Sequence, residues 1–197
     1  MKEVKPLKYT KLDGLSEKQL SEHHDVLYAG YVKKRNEIQE KLKTVDRGAA
    51  NATYSELGEL KREETFASNG IKLHEGYFDN MALPVDDGAP SGKLRELIER
   101  DFGSYEKWKE DFKALGLAAR GWVVLAYDLD DKRLYNILCD SHNQGGVWNS
   151  VALLIMDVYE HAYFLDYATG RKAYIETFFK NINWPYVDKL MSQYRLL

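Results

Sequence analysis

Two side chains that can ligate a metal lie four residues apart, directly after a short apolar run. The run covers residues 151–156, and Asp157 and His161 follow it. Its length and its β-branched residues predict a buried strand. A carboxylate at the end of such a strand needs a partner, because an unpaired buried charge is strongly unfavourable. A metal ion is one such partner, so the segment predicts a metal site.

Histidines supply the other candidate ligands. The chain has five, and His23 and His74 lie within helical patterns. Three imidazoles and one carboxylate form a ligand set that suits manganese or iron and leaves a position for solvent or substrate. Gly70 lies one turn before His74, and a glycine costs a helix about 1 kcal/mol relative to alanine, which suggests that another group packs close to it. We expect His24 to face away from the site, and His142 to be solvated in a polar loop.

Composition predicts an ordinary globular protein. The chain has 197 residues, of which 44% are hydrophobic and 30% charged, enough for one compact unit or two small subdomains. The net charge of −3 argues against a dedicated nucleic-acid or membrane partner. The single cysteine, Cys139, excludes an intrachain disulfide and favours a reducing, cytoplasmic compartment. We expect neither a secretory signal nor a membrane span, because the apolar runs are too short.

Helical periodicity dominates the first part of the chain. It predicts helices over residues 16–44 and about 53–82, which a short loop joins into an antiparallel hairpin. Residues 84–92 concentrate prolines and glycines and are the best candidate for a linker. Two capping boxes are expected to open the helices: Ser16 with Gln19, and Thr53 with Glu56.

The second part of the chain mixes helices with strands and shows no βαβ alternation. The pattern predicts an α+β fold, in which an N-terminal antiparallel helical hairpin (1–84) precedes a C-terminal domain (91–197) with a three-stranded antiparallel sheet flanked by helices. The predicted helices cover residues 93–102, 104–116, 163–180 and 185–194, and the predicted strands cover 121–127, 133–139 and 151–156.

Several segments carry a resemblance to a known family. The sequence Asp-Val-Tyr-Glu-His-Ala-Tyr over residues 157–163 is similar to an Asp-x-Trp-Glu-His-Ala-Tyr signature, with Tyr159 in place of tryptophan. Matching features elsewhere are His23 followed by Tyr31, His74 followed by Tyr77 and Phe78, and the pair Gly121-Trp122. From Leu15 to about Leu190, the chain resembles the iron/manganese superoxide dismutases.

This resemblance implies dismutation of superoxide at one manganese or iron ion per chain. By the same resemblance, His23, His74, Asp157 and His161 would bind the ion, and solvent would complete a five-coordinate site. The helical hairpin would supply two ligands and the α+β domain the other two. The metal site would therefore lie between the two domains.

The resemblance also implies roles for residues around the ion. Tyr31 and Gln144 would be the catalytic side chains, bonded to each other and to the metal-bound solvent. Manganese-type members have glycine where many iron-type members place a glutamine, so Gly70 together with Gln144 favours manganese.

A homodimer or homotetramer is the implied assembly. Glu160 would bind His161 of the partner subunit and fix the orientation of that ring. Trp122, Tyr159 and Tyr163 would complete the surroundings of the metal.

The chain departs from the family pattern at three positions. Leu27 stands where a histidine is common, Phe164 where a tyrosine is common, and Tyr159 where a tryptophan is usual. An apolar contact between Leu27 and Phe164 would replace the polar gateway to the metal. Two alternatives therefore stay open: a metal-binding protein of this fold with a different or weak redox activity, and a metal-free interaction protein.

Overall fold

The computed structural model describes residues 1–84 and 88–196, so part of the predicted linker (85–87) and Leu197 lie outside the described residues. The helices of the described residues are α1 (Glu17–Ser21), α2 (Ala29–Thr44), α3 (Glu56–Asp79), α4 (Gly92–Phe102), α5 (Tyr105–Ala118), α6 (Phe164–Tyr167), α7 (Arg171–Lys180) and α8 (Trp184–Gln193). A π-helical segment (Glu22–Tyr28) joins α1 to α2, and a 3₁₀ turn (Glu160–Ala162) precedes α6. The strands are β1 (Trp122–Asp128), β2 (Arg133–Cys139) and β3 (Ser150–Asp157).

The first helices form the predicted antiparallel hairpin. Gln39 on α2 bonds to Glu64 on α3, whereas Tyr31, two turns earlier on α2, contacts His74, further along α3. Ser16 caps α1 as predicted, because its hydroxyl accepts from the Gln19 amide at 3.1 Å. The prediction that Thr53 caps the second helix was wrong, since α3 begins two residues later, with Ser55 accepting from the Gly58 amide.

The sheet is antiparallel, with the strand order β2-β1-β3. The three strands lie within one residue of their predicted bounds. Central strand β1 pairs Trp122 with Cys139 on one side and with Asp157 on the other. Trp122 and Asp157 are fully buried, so the register brings an indole beside the carboxylate at the end of β3.

Asn80, just after α3, attaches the hairpin to the free edge of β3. Its buried side chain accepts from the Ile155 amide at 2.8 Å and donates to the Leu153 carbonyl at 3.0 Å. The amide thereby supplies the hydrogen bonds that a fourth strand would make. This attachment brings α3, and with it His74, close to Asp157.

The predicted helix over residues 163–180 is interrupted. The chain forms the 3₁₀ turn and α6, and helix resumes as α7 after Gly170. Ala168 has a φ of +46°, outside the right-handed helical region, so no continuous helix passes through it. No helix among the described residues is long and apolar enough to cross a bilayer.

Residues 1–9, here called the N-terminal strap, lie along the helical hairpin. The Lys5 amide donates to the Tyr28 hydroxyl at 3.0 Å, and Asn36 exchanges two hydrogen bonds with the backbone of Lys2. Tyr9 donates to the Phe78 carbonyl at 2.9 Å. The strap therefore covers the side of the hairpin that holds His24, whose Nε2 lies 2.9 Å from the Lys5 carbonyl oxygen.

Candidate metal centre

Four side chains from four elements converge at the junction of hairpin and sheet. His23 comes from the π-helical segment, His74 from α3, Asp157 from the end of β3 and His161 from the 3₁₀ turn. One ligating atom from each lies within 4.8 Å of the others. Three of the side chains are buried, and the His161 side chain is 26% exposed. The structure thus brings together the four residues that the sequence resemblance singled out.

The two oxygens of the Asp157 carboxylate have different partners, one on the backbone and the other on histidines. Oδ1 accepts from the Tyr159 amide at 2.9 Å, which fixes the carboxylate plane. Oδ2 lies 3.2 Å from His23 Nε2, 3.1 Å from His161 Nε2 and 3.7 Å from His74 Nε2. One oxygen and three nitrogens therefore face a common point.

Two of these nitrogens lack a hydrogen-bond partner although they are buried. His74 Nδ1 lies 2.6 Å from the Gly70 carbonyl and donates to it, which leaves Nε2 with a free lone pair. Nε2 of His23 and Nε2 of His74 make no hydrogen bond with the described residues. A buried polar atom without a partner costs about 1–3 kcal/mol, and a cation would satisfy both. The donor set fits an ion such as manganese or iron.

The protonation states of the cluster also suit a cation. Burial lowers the pKa of His23, and it lowers the pKa of His74 to about 3, so both imidazoles are neutral. Burial by itself raises the pKa of Asp157, but His161 and His23 outweigh that effect and hold it below its usual range. For His161, the Asp157 charge outweighs burial and raises the pKa. The anionic Asp157 oxygen beside the neutral His23 and His74 rings is the form that ligates metals, and His161 would release its proton on binding an ion.

The π-helical segment separates two adjacent histidines. His23 points to the cluster, whereas the His24 ring is buried on the opposite side, between Asp25 and the Lys5 carbonyl. His24 therefore faces away from the site as expected, and it holds the N-terminal strap. π-Helical turns inside longer helices occur often at functional sites.

His142 lies beside the cluster, and the prediction that it is solvated was wrong. The ring is buried, and its centroid lies 4.7 Å from Tyr31, 4.5 Å from Phe66 and 5.8 Å from His74. Trp122 Nε1 donates to His142 Nδ1 at 3.0 Å. Burial lowers the pKa of His142 to about 4, so the ring is neutral and its proton is on Nε2.

Gly70 provides the space that Tyr31 and His142 occupy. A Cβ at this position would lie 3.1 Å from Tyr31 Cδ1 and 3.2 Å from His142 Cδ2. The close packing that a helical glycine suggested is therefore present. Burial, followed by the charge of Asp157, raises the pKa of Tyr31 to about 12, so its phenol keeps its proton at neutral pH.

The comparisons with known proteins agree with this geometry. Residues 90–190 match the model of the iron/manganese superoxide dismutases, C-terminal domain. A superoxide dismutase [Fe] of Aquifex aeolicus is 43% identical over 97% of this chain and 92% of its own length. The chain belongs to the iron/manganese superoxide dismutase family. Other relatives in the family are a superoxide dismutase [Fe] of Cupriavidus metallidurans, 41% identical over 92% of both chains, and a superoxide dismutase [Mn] of Haloarcula marismortui, 38% identical over 91% of this chain and 85% of its own.

Gln144 does not reach the cluster, in contrast to the role that the superoxide dismutase pattern implied. Its side chain is exposed and makes no hydrogen bond to Tyr31 or to any other described residue. The cause lies in the loop, where Gly145 has a φ of +96° and packs so closely on β2 that a Cβ would lie 2.3 Å from the Leu138 carbonyl oxygen. The tight turn directs Gln144 outward, and His142 lies beside Tyr31 instead.

Two residues that sequence reasoning missed hold the ligand segment in place. Buried Gln19 donates from Nε2 to the His161 carbonyl at 2.6 Å and accepts from the Leu165 amide at 3.1 Å. The Tyr174 hydroxyl donates to the Asp157 carbonyl at 2.6 Å. Gln19 drew attention only as a capping residue, and nothing in its local sequence indicates the contact with His161.

Tyr163 and Glu160, which were also expected near a superoxide dismutase metal, differ in burial. Tyr163 is buried, stacks on Tyr174 with ring centroids 4.8 Å apart, and accepts from Arg171 Nε at 3.1 Å. Glu160 is exposed, and its side chain makes no hydrogen bond with the described residues. At the gateway positions, Leu27 is 36% exposed and Phe164 is 48% exposed.

Proposed function

We propose that this protein converts superoxide to dioxygen and hydrogen peroxide at one manganese or iron ion per chain. His23, His74, Asp157 and His161 would hold the ion. The observation that carries the proposal is the convergence of four ligand atoms, two of them buried nitrogens without partners, in a member of the superoxide dismutase family. A weak redox activity of another kind, or a metal-free role, has no comparable observation in its favour.

Tyr31 and His142 are the proposed proton-holding groups. A bound ion would supply the one-electron redox chemistry that dismutation of two superoxide molecules requires. Peroxide formation requires two protons, and the Tyr31 phenol keeps its proton at neutral pH. Because Trp122 donates to Nδ1 of neutral His142, Nε2 of that ring is a hydrogen-bond donor. His142 thus takes the place that the sequence assigned to Gln144.

Manganese is the preferred ion in this proposal. The support comes from Gly70, whose small size admits the Tyr31 and His142 rings. Gln144 lies at the surface and favours neither metal. The relatives carry both metal names, so the choice is decided by measurement.

Self-association is proposed at the face beside His161. Exposed apolar side chains follow both His23 and His161 in sequence: Val26 and Leu27 after His23, and Phe164 and Leu165 after His161. Glu160 is also exposed there and is proposed to bind His161 of the partner subunit. We also propose that the chain has two domains, 1–84 and 91–197. A cytoplasmic location is proposed because the single cysteine, Cys139, favours a reducing compartment.

The test is superoxide removal by purified protein loaded separately with manganese and with iron, each compared with metal-free protein. We expect one ion per chain and metal-dependent removal, faster with manganese. His74→Ala should lose the ion, whereas the matched variant His24→Ala should keep it, since His24 faces the N-terminal strap. Stoichiometric metal binding without dismutation by either form would refute the proposal.

A further inference from the structure

Tyr159 contacts three separate parts of the metal centre. Its backbone amide donates to Asp157 Oδ1 at 2.9 Å. Its ring stacks on His161, with centroids 5.3 Å apart and planes 17° from parallel, and lies edge-on to His142 at 5.5 Å. Its hydroxyl donates to the Asp140 carbonyl at 3.2 Å. Tyr159 is therefore bonded both to the ligand segment and to the chain that carries His142.

The β2–β3 loop, residues 140–149, carries His142. Beside that residue, Asn143 donates to the Thr65 hydroxyl at 3.5 Å, and the Asp140 carboxylate accepts from the Arg120 amide at 3.2 Å. Trp122 holds the ring at Nδ1 and Tyr159 holds the backbone at Asp140, two residues before the ring. A further restraint is Gly145, which packs against Leu138 and Cys139. The loop side chains beyond His142 are exposed, so these restraints, together with the packing of the ring against Tyr31 and Phe66, determine where the ring lies.

The surroundings of Gly121 show that the Tyr159 ring is closely packed. A Cβ at Gly121 would lie 3.0 Å from Tyr159 Cε2 and 2.9 Å from the Cys139 carbonyl oxygen. The ring fills the space between the start of β1 and His161. Removing the hydroxyl alone leaves this packing and the stacking on His161 intact, so the role of the hydrogen bond can be separated from the role of the ring.

We propose that Tyr159 is a positioning residue, whose hydroxyl fixes the β2–β3 loop so that His142 Nε2 presents its proton to the metal centre. Through Tyr159, the same short segment would orient a ligand carboxylate and a proton-holding group that lies outside the ligand set. The inference rests on the proposed function only for its effect on activity, since the restraint on the loop exists in the protein itself.

The experiment is a double-mutant cycle with Tyr159→Phe, His142→Ala and the double variant, in manganese-loaded and iron-loaded protein. If the hydroxyl acts through His142, Tyr159→Phe lowers superoxide removal roughly three- to tenfold, the scale of one hydrogen bond. The same change then has no effect in the His142→Ala background, because coupled residues are not additive. Tyr135→Phe is the matched control, since its hydroxyl bonds to Asp131 in an exposed turn.

Two further readouts do not depend on turnover. Amide exchange over residues 140–149 of metal-free protein should be faster in Tyr159→Phe than in wild type, with the exchange of α3 and the metal stoichiometry unchanged. Azide affinity, followed in the visible spectrum of the loaded protein, should change in the same direction in Tyr159→Phe and His142→Ala, with the larger change in His142→Ala.

The outcomes separate this inference from the proposed function. Unchanged loop exchange in Tyr159→Phe, or losses that multiply in the double variant, would overturn the positioning role. If wild type failed to remove superoxide with either metal, the proposed function would fall. Exchange and azide binding would still decide whether Tyr159 positions His142.

Discussion

Among single residues, Gly70 packs closely against two rings of the metal centre, Tyr31 and His142. Gly70→Ala would gain up to about 1 kcal/mol of helix preference, yet its Cβ would push on Tyr31 and His142. We expect a net stability change within about 1 kcal/mol and a clear loss of superoxide removal. Gly30→Ala is the control, because no heavy atom lies within 4 Å of its Cβ. It should stabilise the protein without affecting activity, as denaturant unfolding and activity assays can show; equal activity of both variants would contradict the prediction.

His142 and Gln144 provide a direct contrast between two side chains of one loop. His142→Ala removes a buried proton-holding ring, and we expect superoxide removal to fall at least about tenfold. Gln144→Ala changes an exposed side chain and should alter the rate by less than roughly twofold. Steady-state assays of both variants at matched metal content measure the difference. A larger effect of Gln144→Ala would restore the role that the sequence pattern implied.

Among the elements, α3 and β3 are joined by hydrogen bonds from one side chain, Asn80, which follows α3. Asn80→Ala would leave the Ile155 amide and the Leu153 carbonyl without partners in the core. Each unpaired buried group costs about 1–3 kcal/mol, so we expect a loss of about 2–5 kcal/mol in the free energy of unfolding. Chemical denaturation measures it, and a loss below about 1 kcal/mol would show that water or a neighbour replaces the amide.

The N-terminal strap should make stability depend on pH through Glu75. Its carboxylate lies 2.9 Å from the ammonium groups of Lys2 and Lys5 and accepts from Tyr28. Burial alone raises the pKa of Glu75, but these three partners outweigh it and lower the pKa below 4.5. The folded state therefore favours ionised Glu75. The resulting stabilisation is fully present above the pKa that Glu75 has in the unfolded chain, and it is lost as the pH falls through the lower pKa of the folded protein.

The corresponding variant is Glu75→Gln. At pH 7 we expect it to be less stable than wild type by on the order of 1 kcal/mol, with the difference disappearing below pH 4.5 as Glu75 becomes protonated. Free energies of unfolding of both proteins, measured from pH 7 to below pH 4.5, test whether the difference shrinks as the pH falls. Glu40→Gln is the control, because its partner Lys43 is exposed and no comparable difference should appear. A difference that grew toward low pH would contradict the assignment.

Across the whole molecule, periodicity and turn residues predicted the three strands and the helical hairpin, because those elements bury one regular face. The sequence could not predict the burial of His142. That ring is enclosed by Tyr31, Phe66 and Trp122, which lie on three distant elements. Likewise, the contact between Gln19 and His161 forms only when α1 meets the 3₁₀ turn. Contacts of this kind depend on tertiary packing, which a local pattern does not record.

Self-association of the whole molecule is proposed at the face that carries Phe164. Phe164→Asp places a charge on the face proposed for self-association, and we expect it to convert a dimer to a monomer in light-scattering measurements. The matched control is Leu117→Asp, because Leu117 on α5 is 52% exposed and Phe164 is 48% exposed. A monomeric wild type, or a dimer that survives Phe164→Asp, would contradict the prediction.

The distance along the chain between the four proposed ligands has a consequence for biosynthesis. His74, the later of the two hairpin histidines, leaves the ribosome about 80 residues before Asp157, which at 5–20 residues per second is an interval of roughly 4–16 s. During that interval the nascent hairpin offers only two of the four ligands. Once the sheet docks, His74 and Asp157 have no exposed surface, and the cluster meets solvent only on the side of His161. We therefore expect the ion that is available while the chain folds to fill the site.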